Sequence, residues 1–86
     1  MAFIGANGVD LKSGFTTPDP DEASVKSMMI SNAQESIVLA DHSKFGKSFT
    51  MRFANFDSVD RLITDTKTST SMINEITAKE LEVVIA

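Results

Sequence analysis

Four consecutive apolar residues, Ile37-Val38-Leu39-Ala40, run directly into Asp41-His42-Ser43-Lys44-Phe45-Gly46, and no other stretch constrains the fold as tightly. A short apolar run bounded by polar turn residues reads as a strand with both faces buried. The residues before it carry a helix. Asp19 is placed to cap that helix, Pro20 to occupy its first position and Glu22 to complete a capping box. Val25, Met28, Met29 and Ala33 then recur at helical spacing, which predicts a helix to about Gln34 with that face in the core. In open α/β sheets, ligands gather at the carboxyl ends of the strands, where the loops face a crevice. Asp41 and Lys44 fall at such an end.

The remaining pattern repeats the alternation. Ala2-Phe3-Ile4 is a short apolar run that opens into Gly5-Ala6-Asn7-Gly8, a loop whose glycines allow positive φ or close approach of backbone to a ligand. Phe49, Met51 and Phe53 alternate with Thr50, Arg52 and Ala54, the period of a strand with one covered face. Asn55 to Ser58 reads as a turn and Arg61 to Asp65 as a further strand. Thr68 or Ser69 starts a helix holding Met72, Ile73 and Ile76, and Leu81 to Ile85 is a last β-rich run. The expected fold class is therefore α/β, a mostly parallel sheet flanked by helices on both faces.

Composition removes several classes of function. The chain has 86 residues, 42% of them hydrophobic and 23% charged, as in an ordinary globular protein, although its own core must be modest. A net charge of −4 with no basic stripe argues against this segment gripping nucleic acid, which needs clustered Lys and Arg. There is no cysteine, hence neither a disulfide framework nor a thiolate metal site. No apolar run approaches the roughly 18 residues that span a bilayer, and no leader pattern opens the chain. A cytoplasmic protein without membrane contact is the expectation.

The candidate chemistry is that of a binding site. Lys44 can pair with a phosphate or hydroxyl of an anionic sugar, while Asp41 accepts hydrogen bonds from sugar hydroxyls and orients the lysine. The plainer alternative is an Asp41 that only caps its turn beside a solvated Lys44. Asn7 and the amides near Gly5 and Gly8 are further ligand contacts, or simply turn the chain. Glu22 and Lys26, one helical turn apart, are either ligand contacts or a capping residue and a surface ion pair. His42 is the only histidine. Without a second His or a Cys it suggests a turn or surface role rather than a metal site. Ser43 has no base but its neighbour, so a serine nucleophile is not expected. Met28, Met29 and Met72 are expected in the core, with Phe49 and Phe53 packed on the sheet.

Taken together, Phe3-Ile4-Gly5-Ala6-Asn7-Gly8-Val9-Asp10, Glu22-Ala23 with Lys26 and Met29-Ile30, Leu39-Ala40-Asp41-His42-Ser43-Lys44-Phe45-Gly46 and Leu62-Ile63-Thr64-Asp65 resemble the DeoR-type bacterial transcriptional regulators. The resemblance implies that residues 1–86 are the C-terminal part of one sugar-phosphate-sensing domain, with a DNA-binding winged helix-turn-helix and the first half of the sensor absent. It implies a partial isomerase/CoA-transferase-like fold, shared with ribose-5-phosphate isomerase and glucosamine-6-phosphate deaminase. The implied function is effector sensing for a repressor of sugar metabolism. A phosphorylated sugar held by Asp41, Lys44, Asn7, Gly5, Gly8, Glu22 and Lys26 would modulate DNA binding by the full-length protein. Operator DNA would be met only through the missing domain, the native protein would be a homo-oligomer, and neither cofactor nor metal is implied.

Two alternatives stand beside this reading, a fragment of a sugar-phosphate isomerase or deaminase-like enzyme and an independent interaction module. The isomerase carries an Asp-Gly-Ala-Asp-Glu cluster where this chain has Gly5-Ala6-Asn7-Gly8. Proton transfer between sugar carbons needs a positioned base, and neither Asn nor Gly takes a proton at neutral pH. The expectation is therefore binding without catalysis.

Overall fold

The computed structural model describes residues 1–86 as seven strands and two helices. Strands β1 (Ala2–Gly5), β4 (Ser36–Leu39), β6 (Arg61–Thr64) and β7 (Glu82–Ile85) form a parallel sheet in the order β1-β4-β6-β7. Strands β2 (Gly8–Asp10), β3 (Gly14–Thr17) and β5 (Met51–Ala54) form a second, antiparallel sheet in the order β2-β3-β5. Helix α1 (Pro20–Asn32) leads from the small sheet into β4, and α2 (Thr70–Thr77) leads from β6 to β7. The α/β class and the parallel sheet agree with the sequence reading.

The β2–β3 hairpin was not legible. Its strands are three and four residues long, too short for a period to show. Asp10 makes its turn, accepting the Lys12 and Ser13 N–H groups on one oxygen at 3.0 Å each, and Gly14 closes it at φ 76°. Gly8, read as part of a loop, is instead buried in β2 against Thr16 and the Lys47 carbonyl.

Asp19 caps α1 as expected, accepting the Asp21 N–H at 2.9 Å with Pro20 at the first position. Glu22 does not close the capping box. The buried side of α1 also differs from the expected one. Ala23 is buried and Ile30 packs on the core, whereas Val25, Met28 and Met29 are 58%, 64% and 42% exposed. Ala23, Lys26 and Ile30 share the inward stripe because α1 lies on β3 and β5, sheet partners that the sequence did not reveal. In α2 the expectation holds: Ser69 caps it through the Met72 N–H, Ile76 is fully buried and Met72 packs on the core.

Phe15 joins the two layers, stacked on Phe53 at 6.3 Å and edge-on to Phe56 at 5.1 Å. Ile4, Val38 and Leu62, which share one row across the parallel sheet, face this cluster. Phe49, by contrast, lies on the surface, because β5 starts only at Met51.

The opposite face of the parallel sheet is largely bare. Phe3 and, in the next row, Leu39 and Val84 are exposed there, so the expectation of a sheet covered on both faces is not met. Connections of one hand between parallel strands that step in one direction put their covering elements on the same side. Here every step runs from β1 towards β7.

Candidate functional site

Because its four strands are parallel, the large sheet collects its carboxyl ends along one rim, with neighbouring strands about 4.8 Å apart. Gly5 ends β1, and Asp41 and Asp65 follow the ends of β4 and β6. The chain after β4 turns at once into a 3₁₀ turn, His42–Lys44. Asp41 caps it: one carboxylate oxygen accepts both the N–H and the hydroxyl of Ser43. These bonds, the Ser43 hydroxyl foremost, hold the Asp41 carboxyl below the usual range, and the Lys44 ammonium adds to the effect. The second Asp41 oxygen has no protein partner, and neither has the ammonium of the half-buried residue Lys44. Gly46, at φ 80°, then donates its N–H to the Val9 carbonyl at 2.8 Å, which ties the end of the turn to the hairpin.

At the β1 end, Lys26 reaches across from α1 and donates to the Gly5 carbonyl at 2.7 Å, with its ammonium 5.2 Å from the centre of the Phe53 ring. The surface ion pair, one of the two readings of Glu22 and Lys26, does not form. Glu22 stays exposed on the outer side of α1, beside Val25 and Met29. Asn7 is half-buried, with its N–H bonded to the Thr16 carbonyl at 3.1 Å and its side-chain amide unpaired. Lys26, Gly5 and Asn7 thus gather at the end of β1, and Asp41 and Lys44 at the end of β4. Gly8 is packed away in the small sheet.

Sequence reasoning passed over the partner that holds these loops together. Asp65 follows β6 as Asp41 follows β4. One of its oxygens accepts the His42 N–H at 3.1 Å and meets His42 Nδ1 at 2.8 Å, and the other accepts the Lys67 N–H at 2.9 Å. The signal was present: two β-rich runs, each ending in an aspartate. No three His, Cys, Asp or Glu side chains come together as a metal site, and no helix is long and apolar enough to cross a membrane.

The sequence profile of the DeoR C terminal sensor domain matches residues 1–66. The chain belongs to the DeoR family of transcriptional regulators, in its C-terminal sensor domain. Curated relatives agree. HTH-type transcriptional regulator GlpR of Haloferax volcanii is 40% identical over 65 residues, 76% of this chain and 26% of that protein. FruR of Bacillus subtilis is 47% identical over 64 residues, 74% of this chain and 26% of its own. The deoxyribose operon repressor of Escherichia coli is 35% identical over 65 residues, 76% of this chain and 26% of its own. These relatives are named as regulators or repressors, not as enzymes. The chain spans about a quarter of their length.

In this DeoR-type sensor segment, the matched residues run from β1 to the loop after β6 and include the whole rim from Gly5 to Asp65. The rim has an acid signature. The His42 ring, then the His42 N–H, hold the Asp65 carboxyl down at about 2 against an ordinary 3.8. A depressed folded-state pKa contributes stability that is complete above the unfolded value and disappears as pH falls through the folded one. Wild type should therefore lose stability between about pH 4 and pH 2, and Asp65→Ala should lose less across that window. Urea denaturation at pH 2, 3, 4 and 5 measures it; parallel pH profiles for the two proteins would count against the His42–Asp65 contact.

Proposed function

We propose that this chain is the effector-binding portion of a bacterial repressor of sugar metabolism, and that its ligand is a phosphorylated sugar. The observation that carries the proposal is the pairing at the end of β4: a Ser43-anchored Asp41 with one oxygen unclaimed, next to a Lys44 ammonium with no protein partner. An ionised carboxylate accepts hydrogen bonds from sugar hydroxyls, and an ammonium pairs with phosphate. Lys26, Gly5 and Asn7 extend the same rim at the end of β1 and belong to the proposed site. Gly8 contributes by holding the hairpin, and Glu22 lies at the periphery. Several relatives carry names that fit this class, among them the deoxyribose operon repressor and a putative aga operon transcriptional repressor, both of Escherichia coli.

The longer protein, in this reading, carries a DNA-binding winged helix-turn-helix and the first part of the sensor ahead of residue 1, works in the cytoplasm and assembles as a homo-oligomer. Two features of the sheet support a further part of the sensor. The strand order runs one way from β1 to β7, and ligand crevices in open α/β sheets form where that order reverses. A parallel sheet also needs cover on both faces, and here Phe3, Leu39 and Val84 lie open. Strands continuing outward from β1 would create the reversal beside Gly5 and bring their connections onto the bare face. A ligand in that crevice acts by preferring one arrangement of the whole regulator, which shifts its DNA-binding parts on or off an operator.

The test uses the full-length protein on its own promoter DNA, titrated with a panel of sugar phosphates while DNA occupancy is followed. One compound should change occupancy selectively, and Lys44→Ala should weaken that response at least about tenfold, the effect of losing a charge-assisted hydrogen bond. Absence of DNA binding, together with consumption of one of the compounds, would sink the regulator reading in favour of an enzyme.

A further inference from the structure

The His42–Asp65 pair has a geometry that turn formation alone does not require. Asp41 already caps the 3₁₀ turn through Ser43, so the turn is held without the imidazole. His42 nevertheless meets Asp65 through its backbone N–H and its ring, across the gap between β4 and β6. An ionised Asp65 can only accept, so Nδ1 must carry the proton in this contact, and the other ring nitrogen, Nε2, is left as the free one. Nε2 has no protein partner, and the His42 side chain is 46% exposed. It lines a cavity of about 350 Å³ together with Lys67, Ser69, Ser71 and Glu75. That volume falls within the ~300–1,000 Å³ of small-molecule sites. Beside the apolar Phe45 and Met72, the lining mixes hydroxyls, one cation and one anion, a set that suits a sugar, with its hydroxyls and C–H faces, better than a second phosphate.

We infer that His42 is a ligand-binding side chain of the effector site, with Asp65 as its positioning residue, and that it takes a sugar hydroxyl through Nε2. This inference rests on the sugar-phosphate reading above and adds a residue and a subsite to it. Neutral His42 accepts a hydrogen bond from the hydroxyl at Nε2. Protonated His42 donates to the hydroxyl oxygen instead, with Asp65 carrying the opposite charge beside it. Lys67 and Glu75 are the other charged groups lining the cavity, Asp41 caps the turn and Lys44 ends it. The site therefore spans two neighbouring strand ends, that of β4 with Asp41 and Lys44 and that of β6 with Asp65, bridged by His42.

Asparagine and glutamine separate the two ring nitrogens. In the full polypeptide, titration calorimetry with glucose 6-phosphate, ribose 5-phosphate and inorganic phosphate compares wild type with His42→Asn, His42→Gln and Asp65→Ala. Asn keeps a donor where Nδ1 stands, and so the bond to Asp65, but has nothing at Nε2. His42→Asn is expected to weaken the preferred sugar phosphate about three- to tenfold while leaving inorganic phosphate unchanged. His42→Gln, which restores a polar atom near Nε2, should recover part of that loss. Asp65→Ala should weaken the same compound and, by nitrogen NMR of the ring, release the proton from Nδ1. Wild-type affinity in His42→Asn would overturn the role of Nε2 while leaving the sensor reading standing. Absence of wild-type binding to these three compounds and to every sugar phosphate of the panel used in the DNA titration would overturn both.

Discussion

Replacing Phe15 by Ala is expected to cost about 3–5 kcal/mol, the range for removing a buried aromatic side chain from a core. A chain of 86 residues has a total stability of about 4–13 kcal/mol, so this one change should remove a large share of it. Phe15 is fully buried and touches Phe53 and Phe56, so its ring is the shared floor of α1, the small sheet and the segment before β6. Neighbours held by three different elements cannot all collapse into the space it leaves. Urea denaturation followed by circular dichroism measures the loss. Phe15→Leu, which keeps most of the volume, should cost clearly less. A loss under about 1 kcal/mol for the Ala variant would mean that the two layers do not depend on this contact.

Gly8→Ala is the second large effect, and it comes from a single carbon atom. A Cβ at Gly8 would lie 2.5 Å from the Lys47 carbonyl oxygen, 2.6 Å from Thr16 Oγ1 and 3.0 Å from the Phe49 ring. The carbonyl is backbone and cannot rotate aside, so β2 and the segment before β5 must separate. About 3 kcal/mol of destabilisation is expected, at the upper end of what overpacking costs. The damage should reach the proposed site, because β2 holds the Asp41–Lys44 turn through the Val9–Gly46 hydrogen bond. Gly5→Ala provides the contrast, since nothing lies within 4 Å of its Cβ position, and it should be close to neutral. Equal costs at Gly5 and Gly8 in a side-by-side denaturation experiment would contradict the packing around β2.

Much of the rim was legible because its signals are local. Asp19-Pro20 marks the start of α1 through a side-chain cap and a fixed φ, and Ile37–Ala40 marks a buried strand by continuous apolarity. Asp41 and Lys44 could be placed at a strand end on those grounds alone. The direction in which α1 faces was not local. Val25, Met28 and Met29 form an apolar stripe as good as any, but the β3 and β5 strands that α1 covers sit on the side of Ala23, Lys26 and Ile30. Nothing in the spacing of α1 encodes where its partners will stand.

Lys26 and His42 show the same limit at the level of single side chains. From sequence, the natural partner of Lys26 was Glu22, four residues away; the fold gives it the Gly5 carbonyl, 21 residues away. His42 had no visible partner, and the fold supplies Asp65 by laying β6 beside β4. The sequence by itself determined the α/β class, the capped start of α1 and the arrival of Asp41 and Lys44 at a strand end, since caps, turns and apolar runs act over a few residues. Only the tertiary structure decided the order β1-β4-β6-β7, the bare sheet face and the pairing of the two aspartate-ended loops. Those depend on which strands lie next to each other, and strand adjacency is settled by the packing of the whole chain.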